Sequence, residues 1–211
     1  MGRGWGKKAP MNKSATTSFP INQLAAIRWS PRAFLDKPVE REKLISIFEA
    51  ARWSASGGNE QPWRFIVGVD HDETWQKIFS CLNEGNKEWN QNVPVLILVV
   101  GNKISSWDGN ESGYFKYDTG QAAAHLSIEA MNQGLHVHQM GGFSPEKACE
   151  LFTIPLTHEP LTVVAAGYAG DPGSLPEKLK QRELQERTRK ELVEIVFSGK
   201  FGNPAFSIDG K

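Results

Sequence analysis

Arg28, Ser30 and Arg32 alternate with Trp29 and Pro31 in the segment RWSPRAF. Two guanidinium forks and a hydroxyl are donors that suit the oxygens of a phosphate. A second basic pair, Arg187 and Arg189, stands far along the chain in RTRKEL. Alone, the R-x-S-x-R spacing reads as two surface arginines flanking a turn. The run SASGGNEQPW, Ser54 to Trp63, suggests other chemistry. It offers two hydroxyls, the amides of Asn59 and Gln61, and two glycines that permit close backbone approach. The apolar run RFIVGV follows at once. A polar loop at a helix-to-strand junction can receive a flat polar ligand.

Other site classes lack their signatures. There is no G-x-x-x-x-G-K-[ST], and the only glycine-rich run, GRGWG, has no strand before it, so a phosphate ligand, if any, is held by side chains. His136 and His138 alternate in LHVHQM and share one strand face, while His71, His125 and His158 are scattered, so no metal site is expected. No G-x-S-x-G elbow occurs. Cys81 and Cys149 stand singly in helical patterns, Cys149 at a core-facing position, and read as buried thiols in a reducing, cytoplasmic setting. The 24 basic and 24 acidic residues cancel, which removes bulk attraction to nucleic acid or acidic membranes. The longest apolar run, VPVLILVVG, is too short to span a bilayer and reads as a buried strand.

The elements that must position these groups can be read from periodicity. A chain of 211 residues with 39% hydrophobic content suffices for one core, expected here as a single domain over residues 21–206. Residues 1–20 have a basic start and no continuous apolar stretch, so they read as a mobile arm rather than a signal peptide, and 207–211 as a short tail. Helices are expected over Ile21–Ile27, over EREKLISIFEAARW and over ETWQKIFSCLN, where apolar residues recur on one face. Strands are expected at 64–69, 94–100, 135–139 and 161–168. Asp118, with Gln121 three residues on, predicts the cap of a central helix through AAAHLSIEAMNQG, and Ser144 followed by Pro145 predicts another. Pro62 predicts an extended Gln61. The alternation implies helices on both faces of a sheet. The C-terminal stretch carries apolar residues with no evident place in a monomer core.

Together, RWSPRAF, FEAARWSASGGNEQPWRFIV, YDTGQAAAHLSIEAMNQGLHVHQMGGF and RTRKELVEIVF resemble the FMN-dependent nitroreductase family in order and spacing, from about Ile21 to Phe206. The resemblance implies an α+β fold, a mixed sheet flanked by helices, with the C-terminal tail extending over a partner subunit. It implies a homodimer with FMN at the interface, NADH or NADPH as transient electron donor, and nitroaromatic or quinone-type flat acceptors reduced in ping-pong fashion. On this resemblance Arg28, Trp29, Ser30 and Arg32, with Arg187 and Arg189, fall at the ribityl phosphate. Ser54, Ala55, Ser56, Asn59 and Gln61 fall on a flavin-facing loop from the other subunit, with Ala55 where many members have proline. Asn86 falls at the pyrimidine edge. Met140, Gly141 and Gly142 fall on the turn whose backbone amide, at Gly141, meets flavin N5, so no side-chain acid or base is required. Trp107, Tyr114 and Phe115, on a loop without a family match, either line the substrate space or pack back on their own domain. Reductive dehalogenation, azoline oxidation, flavin fragmentation and non-catalytic FMN sensing are the alternatives.

Overall fold

The computed structural model describes residues 13–206. The chain runs α1 (Gln23–Ile27), α2 (Arg41–Arg52), β1 (Trp63–Val69), α3 (Glu73–Cys81), α4 (Glu84–Asn90), β2 (Val95–Asn102), α5 (Phe115–Asn132), β3 (His136–Met140), α6 (Pro145–Phe152), β4 (His158–Gly167) and α7 (Glu177–Leu184). The strands form one sheet in the order β1-β2-β4-β3. Every pairing is antiparallel, so within one chain's described residues the sheet is not the mixed one that the resemblance implies.

β2 is buried from Val95 to Gly101, as its unbroken apolar sequence requires. Its alternate residues feed two cores. Leu96, Leu98 and Val100 join Trp75 and Ile78 of α3, Trp89 of α4 and Ala148 of α6. Val95, Ile97 and Val99 join Ile47 and Ala51 of α2 with Ala122, Leu126 and Ala130 of α5. Helices therefore cover both sheet faces. The small alanines let α5 lie close to α2 and to the sheet.

Several helix starts follow local chemistry. Asp72, Asn83 and Ser144 accept hydrogen bonds from the backbone N–H of Trp75, Asn86 and Lys147, satisfying donors with no partner inside the helix. The expected Asp118 cap is not formed. α5 begins one turn earlier, at Phe115, because that ring inserts beneath Gly101, and the buried Asp118 accepts from Gly57 N of the preceding loop instead. Cys81 is buried, but Cys149 is only half-buried because the helix turns Ala148 to the core. α4 was not expected: Trp89 is the only large apolar side chain in EGNKEWN. Among the described residues no helix is long and apolar enough to cross a membrane.

Gly68 marks the tightest contact between α3 and β1. A Cβ there would lie 2.2 Å from Trp75 N and 2.3 Å from Trp75 Cα, both backbone atoms that cannot swing aside. Gly68→Ala should therefore destabilise the fold by about 2 kcal/mol or more, read as a lower midpoint in urea denaturation.

Candidate functional site

Both arginine segments meet in one cavity of about 230 Å³, lined by Arg28, Trp29, Ser30, Arg32, Arg187 and Arg189 together with Lys13 and residues at the end of α7. Arg28 Nη1 lies 3.4 Å from Ser30 Oγ. Arg187 Nη1 donates to the carbonyls of Ala26 at 2.7 Å and Lys13 at 2.6 Å, which ties the tail to the C-terminal end of α1. Burial, then the nearby Arg189 charge, lowers the Arg28 pKa from its ordinary value. Arg187 shifts the same way through burial, Arg28 and Arg189. Such crowding of like charge favours an anion.

Glu183, 1% exposed, organises the segment from below. Its Oε1 accepts from the backbone N–H of Arg32 (2.8 Å) and Ala33 (3.1 Å), and Oε2 faces Arg32 Nη1 at 3.7 Å. A carboxylate among polar neighbours in a charged helix gives little sign in sequence that it will be buried.

β3 supports the same segment. The ring of His136 meets Trp29 edge-on, with centroids 5.9 Å apart. His138 Nδ1 lies 2.8 Å from the carbonyl of Pro31, which can only accept, so that nitrogen carries the proton. The histidine pair thus props the 28–32 segment, and among the described residues no cluster could hold a metal.

The 54–61 loop is elsewhere; none of its residues lines the cavity. Ser54 is buried and its Oγ lies 2.7 Å from His125 Nδ1, so this hydroxyl is already engaged. Ser56 Oγ accepts from Gln61 N at 3.0 Å, and Gly57 N donates to Asp118 Oδ2 at 3.0 Å. Closing the loop in this way drives Gln61 to φ +48°, not the extended conformation expected from Pro62, with Asn59 at +57° and Gly58 at +57°. Non-glycine residues there are uncommon and concentrate at functional sites. Ala55, Asn59 and Gln61 are exposed.

Glu60, not singled out by sequence, clasps this loop to the next. Its carboxylate accepts from Ser106 N (3.0 Å), Ser106 Oγ (3.0 Å) and Ser105 Oγ (3.2 Å). The backbone bond to Ser106 is the main cause that holds its pKa below the usual range. Trp107 consequently lies across Gly58, where an added Cβ would come within 3.1 Å of its Nε1. Trp107 and Tyr114 are exposed, whereas Phe115 is 4% exposed under Gly101 and cannot line an open substrate space.

The third group is the turn leaving β3. Gly142 O accepts from Asn83 N at 3.0 Å and from Asn86 Nδ2 at 2.9 Å. A Cβ on Gly142 would sit 2.3 Å from Asn83 Nδ2, so glycine is needed for this clamp. Met140 is buried, with its sulfur accepting from Asn90 Nδ2 at 3.1 Å. Gly141 is exposed, and a Cβ there would meet nothing within 4 Å, so open space faces this backbone.

An α+β domain with helices on both sheet faces and paired arginine segments around one cationic cavity is thus the class defined by fold and site. The nitroreductase family model matches residues 25–168. A solved structure described as an oxidoreductase containing FMN is 33% identical, with TM-score 0.85 over 93% of this chain and 100% of that one. A nitroreductase family protein from Clostridium difficile 630 is 31% identical, with TM-score 0.66 over 84% and 96%. An uncharacterized 15.4 kDa protein of Mycolicibacterium smegmatis is 35% identical over 149 residues, 67% of this chain and 99% of that protein. A Stenotrophomonas maltophilia protein provisionally named NADH dehydrogenase/NAD(P)H nitroreductase is 27% identical over 80% of this chain and 94% of that protein. The chain belongs to the nitroreductase family and is an oxidoreductase.

Two expectations follow. Burial holds His138 down at about 4 from its ordinary 6.5, with Arg32 acting in the same direction and the Pro31 bond opposing. The unfolded chain then binds the proton first, so stability should fall by roughly 2–3 kcal/mol as pH drops from 6.5 to about 4, then level off. His138→Gln should remove that part of the pH dependence in denaturation curves. Glu60→Ala should release the 105–112 loop and speed tryptic cleavage after Lys103 by roughly three- to tenfold.

Proposed function

We propose that this oxidoreductase binds FMN as its resident cofactor, takes its electrons from NADH or NADPH, and acts as a cytoplasmic homodimer with the flavin at the subunit interface. The observation that carries this reading is the cavity in which Arg28, Ser30 and Arg32 face Arg187 and Arg189. Its cations outnumber its carboxylates, and Glu183 is committed to Arg32, so the donor set suits a phosphate dianion.

In this reading those five residues hold the ribityl phosphate and Trp29 walls the cavity. His138, which touches Pro31, and Gly141 are three strand residues apart, about 10 Å, on the scale of a ribityl chain. The exposed Gly141 amide then serves flavin N5, with Met140 and Gly142 fixing the turn and Asn86 at the pyrimidine edge. The partner subunit's copy of the 54–61 loop supplies the exposed Ala55, Asn59 and Gln61, with Ser54 and Ser56 holding the loop in shape through His125 and the Gln61 backbone. That assignment explains why the loop and the cavity do not meet within one chain. Leu192, Ile195, Phe201 and Phe206 are exposed on the tail, and crossing onto a partner would cover them.

FMN held by these residues would supply the redox chemistry that couples the nicotinamide donor to a nitroaromatic or quinone acceptor in a ping-pong cycle. The chain's own task is to bind, orient and exclude water, with the N5-facing amide stabilising charge on reduction. In this reading the exposed rings of Trp107 and Tyr114 flank a flat acceptor.

The test is an absorbance spectrum before and after anaerobic NADH or NADPH. Flavin bands should bleach and return on adding a quinone or nitroaromatic, and Arg28→Ala should weaken FMN binding by about 1–3 kcal/mol. Bands that persist under both nicotinamides would make this a flavin-binding module. A protein that takes up no FMN would sink the proposal.

A further inference from the structure

The anion cavity has a wall that belongs to neither the 28–32 segment nor the tail. Lys13 lines it from the opposite end of the chain. Its ammonium donates to the carbonyls of Glu183 and, at 2.6 Å, Gln185, and stands 5.0 Å from the centroid of the Trp29 ring. The backbone around it is pinned as well. Arg187 donates to the Lys13 carbonyl at 2.6 Å, and Ala15 N donates to Ala26 O at 2.9 Å.

We propose that Lys13 is a further cationic ligand of the cofactor phosphate, carried on a strap of residues 13–15 that closes the cavity. This rests on the flavin reading above. Carbonyl acceptors orient an ammonium but do not neutralise it, so among the described residues two of its three N–H donors fix its position and the third is left for a ligand. The nearest carboxylate, Glu183, is occupied by the backbone of Arg32 and Ala33. Among the described residues the cavity thus gathers Lys13, Arg28, Arg32, Arg182, Arg187 and Arg189 against Glu183 and Glu186. Burial lowers the Lys13 pKa most; Glu183 opposes, and Arg187 and Arg32 lower it further, so a dianion in the cavity would relieve this repulsion. The competing explanation is that Lys13 only ties the strap to α7 and touches no ligand.

FMN and riboflavin separate the two, because riboflavin has the same ring and ribityl chain without the phosphate. Equilibrium binding is followed by quenching of flavin fluorescence, with the full chain, its Lys13→Met variant and its Lys13→Arg variant. Methionine keeps an apolar stem against Trp29 and removes the charge. Lys13→Met should weaken FMN about tenfold, leave riboflavin within about twofold, and flatten the salt dependence of the FMN Kd. Lys13→Arg should recover most of the loss. Unchanged FMN affinity in Lys13→Met, or equal weakening of FMN and riboflavin, would overturn the assignment and leave Lys13 a structural tie. If the unaltered protein binds neither flavin, the flavin reading itself fails and takes this ligand with it, an outcome visible before any variant is compared.

Discussion

A strand with no solvent-facing side must be covered twice, and β2 imposes that condition on the whole domain. From Val95 to Gly101 it is buried, so α2 and α5 close one face and α3, α4 and α6 the other. Apolar burial at roughly 25 cal/mol per Å² makes this double covering the main stabilising term, and it leaves little room for polar groups in the middle of the sheet. Polar chemistry is displaced to strand ends and to edge strand β3. The arginine-lined cavity, the 54–61 loop and the turn at Gly141 all lie in such places.

Within the cavity the ordering principle changes from area to charge. Several cations share a small volume, which is unfavourable unless something offsets it. Glu183 offsets part, and it does so by holding the Arg32 and Ala33 backbone rather than by filling the cavity. The buried carboxylate therefore shapes the site while leaving its net charge positive. β3 complements this from the other side: His136 and His138 present rings to Trp29 and Pro31 without adding charge near neutral pH, since burial lowers both pKa values.

The sheet and the long helices were legible in the sequence because periodicity and apolar runs report burial directly. VPVLILVVG could be little but a doubly buried strand. Three features were not legible, each for a local reason. The start of α5 depended on Phe115 finding the space beneath Gly101, a contact between residues that sequence spacing does not relate. The conformation of Gln61 was set by the hydroxyl of Ser56 closing the loop, which outweighed the extended preference before Pro62. α4 had too few apolar residues to show a face, although Asn83 is a good cap. Of the candidate site, the two arginine segments could be named separately, but only packing brings them to one cavity. Glu60, Glu183 and Lys13 carried no motif at all, because their roles are defined by backbone groups distant in sequence.

The bond from Arg187 to the carbonyl of Lys13 joins residues 174 positions apart. In polymer terms it closes nearly the largest loop the described chain can make, and loop entropy grows only logarithmically with length. Whatever bridges the same two segments acts as a removable cross-link, one that opposes fraying from both ends at once instead of stiffening any single element. A small anion there would couple occupancy to the integrity of the entire chain, so that loss of a ligand weighing far less than one helix could be registered as unravelling from the periphery inward.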